Sequence, residues 1–271
     1  MKKRILTAVI LLPVIIVFLF VLPKICTAIL AALVAAIAAY ELLWGTGLAK
    51  HLRLVIYSGC MAAFVILWFH FSLSYVAVLV GIIVFTSLLY MEMMISRGKL
   101  PFQQVGLSYV AGIIVPFFIG AIVRILDMEL GRYLIATPFV ACFMPDAGAY
   151  FSGRLFGKHK MSPVISPNKT IEGAIGGVVC AMIGMEIYGL ILHFICGLQV
   201  NYLLCLLYGF LGAGASVLGD LFFSAVKRQT GIKDYGKIIP GHGGIMDRLD
   251  SLTLVSPLIE ALILLIPFAV K

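Results

Sequence analysis

What most constrains this chain is the recurrence of apolar runs of about 20 residues along its whole length. Soluble interiors are assembled from shorter apolar segments, ~5 to 14 residues, because each must turn back at a surface. Runs long enough to cross a hydrocarbon core about 30 Å thick, repeated end to end, exclude a soluble domain. Composition agrees: 62% of residues are hydrophobic and 12% charged, and mean hydropathy is +1.13. In lipid every backbone polar group must be satisfied internally, and runs of this length do so as helices. The expected fold class is therefore all-α, a polytopic membrane helical bundle.

Windows of about 20 residues place spans near 5–22, 25–44, 53–69, 72–95, 107–125, 131–151, 172–195, 201–226 and 249–270, about nine transmembrane helices. Met1-Lys2-Lys3-Arg4 and the run from Ile5 to Leu22 read as a retained first span and not a signal peptide, because the run is long and no A-x-A cleavage site follows. With the N-terminus in the cytoplasm, sixteen of the twenty Lys and Arg fall inside, as the positive-inside rule demands. No inverted repeat or low-complexity linker divides the sequence, so one integral membrane domain, 1–271, is expected, with cytoplasmic polar loops 152–171 and 227–248. The cysteines lie singly in apolar runs and read as packing residues. The net charge of +8 sits in short loops without aromatic interleaving, which excludes nucleic acid and favours membrane lipids or a phosphorylated substrate.

One long polar passage interrupts this pattern, Ser224 to Asp250. Asp220, Ser224 and Lys227 are spaced i, i+4, i+7 and so share a helix face. Asp247 and Asp250 are i, i+3 at the expected opening of the last span. Asp220, Asp247 and Asp250, hard oxygen donors without Cys or paired His, suit Mg²⁺, with Mn²⁺ as an alternative. Gly241, Gly243 and Gly244 around His242 allow a backbone approach to an anion. A second passage, Asp146 to Gly173, carries Arg154, Lys158, Lys160 and Lys169, a phosphate-binding face; Thr170 stands where it can cap the following helix. Glu41, Glu92 and Glu260 read as helix-end carboxylates. No G-x-S-x-G nucleophile elbow is present.

These residues resemble the phosphatidate cytidylyltransferase (CDP-diacylglycerol synthase) family. Ser224, Lys227, Arg228, Lys233, Asp234, Pro240 to Gly244, Asp247, Arg248 and Asp250 fill its S-x-x-K-R-x4-K-D … P-G-H-G-G-x-x-D-R-x-D signature without a gap. The Asp146–Lys158 passage and the segment holding Asn168, Lys169 and Thr170 are similar to its other polar segment. The resemblance implies transfer of a cytidylyl group from CTP to phosphatidic acid, giving CDP-diacylglycerol and pyrophosphate in the cytoplasmic membrane. It implies catalytic roles for Asp220, Lys227, Arg228, Lys233, Asp234, His242, Asp247, Arg248 and Asp250. Substrate-binding roles fall to Ser224, Gly241, Gly243, Gly244, Arg154, Lys160, Asn168 and Lys169, and Asp146 joins the metal set as a ligand or neighbour of one. A second or monovalent cation and a homodimer remain compatible with it. The alternatives are a polyprenol or phytol kinase-like CTP-dependent transferase and, from a different class, a transporter.

Overall fold

The computed structural model describes residues 13–239, 241 and 243–271. Seven helical segments among them are long and apolar enough to cross a membrane: Lys24–Gly45, Leu52–His70, Tyr75–Ile95, Phe102–Asp127, Gly131–Phe156, Ile171–Phe194 and Tyr202–Gln229. They correspond to the second through eighth expected spans. Residues 5–12 of the expected first span lie outside the described residues; the rest is helical from 13 and ends in the π-helical stretch Val17–Val21. The expected ninth is the 14-residue helix Leu252–Leu265, which stops just before Pro267, as the residue ahead of a proline is pushed out of the helical region. The count of nine is thus not reached among the described residues. Two small two-stranded sheets accompany the helices.

The chain forms two compact units interleaved in sequence, Met1–Asp127 with Thr230–Leu249, and Met128–Gln229 with Asp250–Lys271. In the first, α1 (Lys24–Tyr40) continues into a π-helical turn, Glu41–Gly45. Then come α2 (Leu52–His70), α3 (Tyr75–Ile95), α4 (Phe102–Tyr109), α5 (Val115–Ile119) and α6 (Ala121–Asp127). A π-turn, Val110–Ile114, joins α4 to α5 just ahead of Pro116, where the missing proline N–H breaks the regular ladder. A buried cluster of Leu54, Met61, Val65, Phe85, Leu89 and Val105 forms the core. Val76, Val80, Ile83 and Val84 of α3 stay exposed, the face that acyl chains cover. Arg124 lies 4.2 Å from the Phe69 ring centroid and 4.6 Å from that of Phe117, so its charge rests on aromatic faces.

The second unit contains α7 (Gly131–Leu134), α8 (Thr137–Phe156), β1 (Lys160–Ser162), β2 (Ser166–Thr170), α9 (Ile171–Phe194), β3 (Gln199–Val200), α10 (Tyr202–Gln229), α12 (Leu252–Leu265) and β4 (Ala269–Val270); α11 (Met246–Leu249) belongs to the first. On α9 the residues Ile175, Val179, Ile183 and Ile187 repeat every four positions and are all exposed, giving a lipid-facing stripe. Gly177 and Gly184 lie toward α8. A Cβ on Gly177 would sit 2.8 Å from the Pro145 carbonyl oxygen, so the close α8–α9 crossing requires glycine.

Both polar passages differ from the loops expected. The 152–171 passage begins as the last turn of α8 and continues as the antiparallel β1–β2 hairpin. In the other, α10 runs on to Gln229 and α11 interposes before α12. Asp247 and Asp250 therefore do not share the first turn of the last helix, as their spacing predicts. Asp247 is on α11, and Asp250 is in the turn ahead of α12.

Candidate functional site

In the second unit α8, α9, α10 and the hairpin enclose a cavity of about 630 Å³, whose lining includes Asp146, Arg154, Asn168, Lys169 and Asp220. The helix-face prediction for Asp220 and Ser224 is met: Ser224 Oγ donates to Asp220 Oδ1 at 3.0 Å. The other carboxylate oxygen takes Lys169 Nζ at 2.5 Å, so the hairpin cation and the α10 carboxylate meet in the cavity wall. Thr170 caps α9, its hydroxyl accepting the Gly173 N–H at 3.1 Å. Glu172 accepts the backbone N–H groups of Lys158 and His159 at 3.1 and 3.2 Å, fixing the turn into β1. Arg228 donates to the Ile165 carbonyl at 3.1 Å, tying the end of α10 to the hairpin. Arg154 donates to the Tyr150 hydroxyl at 3.1 Å. Lys160 lies on β1, exposed, and is not part of the cavity lining.

Asp250 belongs to the same unit. Burial, then repulsion from Asp220 and more weakly from Asp146, pushes its carboxyl up to about 7, with Lys227 and the Ser251 N–H opposing. A carboxyl held that high is one whose burial and acidic neighbours outweigh the cation and N–H group beside it. Among the described residues no three His, Cys, Asp or Glu side chains are gathered tightly enough to hold a metal as they stand. The donor chemistry nonetheless fits a hard divalent cation: Asp146, Asp220 and Asp250 supply only oxygen. Lys169 is the cation now on Asp220.

The first unit carries the remainder of the signature. Ile239 donates to the Gly243 carbonyl at 3.0 Å, closing a tight turn in which Gly241 (φ 79°) and Gly243 (φ 86°) are left-handed, a conformation glycine adopts at little cost. The expected roles of Pro240 and His242 fall outside the described residues. Asp247 is buried, and its Oδ2 accepts the N–H groups of Tyr235 at 2.8 Å and Gly244 at 3.0 Å, so this carboxylate orders the turn. Lys233, Asp234, Lys237 and Arg248 are exposed around a second cavity, about 590 Å³, with Gly241 and Gly243 in its wall.

Sequence reasoning missed Glu41. Its spacing at the end of an apolar run reads as a helix-end carboxylate, yet it is fully buried. Its Oε1 accepts Ile245 N–H at 3.1 Å and its Oε2 accepts Met246 N–H at 2.8 Å. It thus caps α11 from about 200 residues upstream. Gly236 and Gly244 pack against it so closely that a Cβ on either would collide with the carboxylate. No local pattern announces such a contact; the one signal is an acid at the end of an apolar run in a chain with twelve acids.

These features define a multi-pass helical membrane protein with carboxylates and cations gathered at helix ends and around glycine turns, a combination suited to phosphate groups. The chain belongs to the cytidylyltransferase family, whose profile matches residues 2–266. It is similar to a protein of Bacillus subtilis (strain 168), 34% identical over 276 residues and covering 98% of both chains. It also resembles proteins of Staphylococcus haemolyticus (strain JCSC1435), 46% identical over 134 residues, and Staphylococcus epidermidis (strain ATCC 12228 / FDA PCI 1200), 45% over 133 residues. All three relatives bear the name phosphatidate cytidylyltransferase. The staphylococcal matches cover 49% of this chain and span about half of those relatives' length, 50% and 49%.

Proposed function

We propose that this protein, as a single catalytic domain, is a phosphatidate cytidylyltransferase that converts CTP and phosphatidic acid into CDP-diacylglycerol and pyrophosphate. The observation that carries the reading is the Lys169–Asp220 pair in the wall of the cavity of about 630 Å³ of a membrane protein, with Ser224 bonded to Asp220 and Asp250 under its repulsion. A lipid phosphate oxygen forms the new bond to the α-phosphorus of CTP, the α–β anhydride breaks, and pyrophosphate leaves. That oxygen is already anionic near neutral pH, so the site needs charge neutralisation more than a strong base.

Lys169, Arg154 and Asn168 line the cavity and would bind phosphate and nucleotide oxygens, with Lys227 and Arg228 at the end of α10. The glycine turn with Lys233, Lys237 and Arg248 offers a separate phosphate-binding surface in its own unit. Asp220 and Asp250, with Asp146, would hold Mg²⁺. Bound there, the ion would neutralise developing charge on the phosphates. Ser224 orients Asp220 through its hydrogen bond, and Lys169, now paired with Asp220, would give up that carboxylate to a divalent ion. The positive-inside pattern supports a site at the cytoplasmic face, where CTP is found.

The test is label transfer in detergent with phosphatidic acid. Radiolabel from the α-phosphate of CTP should enter the lipid while label from the γ-phosphate does not. γ-Label in the lipid would mean a kinase instead.

A further inference from the structure

The first unit holds a third cavity, about 390 Å³, lined by Gly47, Lys50, His51, Ser96, Lys99, Leu100 and Gln104. None of these residues belongs to the cytidylyltransferase signature. The cavity lies where the chain enters α2 and leaves α3. The lining residue His51 reaches buried Glu92 through Nε2 at 3.3 Å, and Arg53 Nη1 engages the same carboxylate at 3.3 Å. Lys50 and Lys99 are exposed and make no ion pair among the described residues. His51 Nδ1 is buried with no hydrogen-bond partner among them, and a buried polar atom left unmatched is costly. Ordinary inside-facing loop charges would be dispersed in solvent; here two unneutralised ammonium groups and an unsatisfied imidazole nitrogen border one cavity.

We propose that this cavity binds the phosphate of an anionic membrane-lipid headgroup. A free phosphate would share the chemistry, but the chain beside the cavity favours a lipid. Leu48, Leu52, Met94, Ile95 and Phe102, each next to or near a lining residue in sequence, are all exposed, an apolar border suited to acyl chains and of no use to a soluble anion. Lysines at a membrane surface attract anionic lipids.

The experiment uses the full chain in neutral detergent. Native mass spectrometry counts lipids retained from phosphatidylglycerol or phosphatidylcholine, with inorganic phosphate tested alone, and hydrogen exchange locates the site. Phosphatidylglycerol should be retained over phosphatidylcholine and should slow exchange in residues 46–53 and 96–104. The Lys50→Gln/Lys99→Gln double variant should weaken retention about tenfold or more. Equal retention by wild type and a double variant of unchanged melting temperature would overturn the site, and so would protection confined to other segments of the wild type. Inorganic phosphate giving the same protection at the same concentration as the lipid would overturn the lipid assignment.

Discussion

At the scale of single residues, Asp220 and Asp250 make opposite demands on their surroundings. Asp220 is satisfied by Lys169 and Ser224, whereas Asp250 sits where burial and its acidic neighbours disfavour its charge. Asp220→Asn should lower turnover by at least ~100-fold, as expected for a residue holding a catalytic ion or its immediate partner, with little change in melting temperature; near-normal Mg²⁺-dependent turnover would contradict the assignment. For Asp250 the folded value, about 7, lies above the 3.8 of an ordinary aspartate. Its contribution to native stability is therefore present below pH ~4 and is lost as pH rises toward 7, by up to about 4 kcal/mol. Thermal unfolding in EDTA at stepped pH should show this decline in the wild type and not in Asp250→Asn. Mg²⁺ added near pH 6 should release protons, and its apparent affinity should rise up to about pH 7.

Residue identity was legible at this scale where the contact is local. The i, i+4 spacing of Asp220 and Ser224 predicts their shared face, and Thr170 caps α9 as its position suggests. Glu41 was not legible, because its partners lie some 200 residues away. Glu41→Gln keeps one acceptor and loses the other, leaving either the Ile245 or the Met246 N–H unmatched, at a cost of ~1–3 kcal/mol. The expected readout is a fall in turnover together with faster hydrogen exchange in residues 243–249. A fall in melting temperature with normal exchange there would argue against the capping role.

At the scale of elements, the α8–α9 crossing is set by glycines. A Cβ on Gly148 would meet Cys180 Cβ below any real contact distance and lie 2.8 Å from the Gly176 carbonyl oxygen. Gly148→Ala should destabilise by about 1–3 kcal/mol, measured as loss of melting temperature in detergent. Cys180→Gly in the same chain should recover part of that loss. Apolar runs predicted these helices well, since lipid fixes their length and leaves hydrophobicity as the dominant signal. Their ends were less legible. Polar residues entered the last turns of α8 and α10, so the helices outran the apolar windows, and α11 is too short to show any periodicity. The hairpin β1–β2 was hidden because its residues, rich in Lys, Ser and Pro, carry no alternation of apolar and polar positions.

At the scale of the whole molecule, the signature residues divide between two units that interleave in sequence. The eye reads 224–250 as one passage, whereas the chain changes unit within it, at Thr230 and again at Asp250. Linear spacing joined Asp247 to Asp250 as a pair, and the contacts shown for each lie in its own unit: Asp247 accepts two N–H groups of the glycine turn, and Asp250 is repelled by Asp220. The orientation predicted from the Lys and Arg distribution has its own test. Single cysteines at 99 and 132, in a chain whose native cysteines are replaced, should react with an impermeant maleimide from the cytoplasmic and external sides respectively. The reverse pattern would invert the topology and remove the site from the side that holds CTP.

The most direct measurement is pyrophosphate release by the purified protein in detergent, given CTP and phosphatidic acid with and without Mg²⁺. Release that requires all three components is the predicted result. Release from CTP without the lipid, or none from a folded protein under any of these conditions, would contradict cytidylyl transfer to phosphatidic acid.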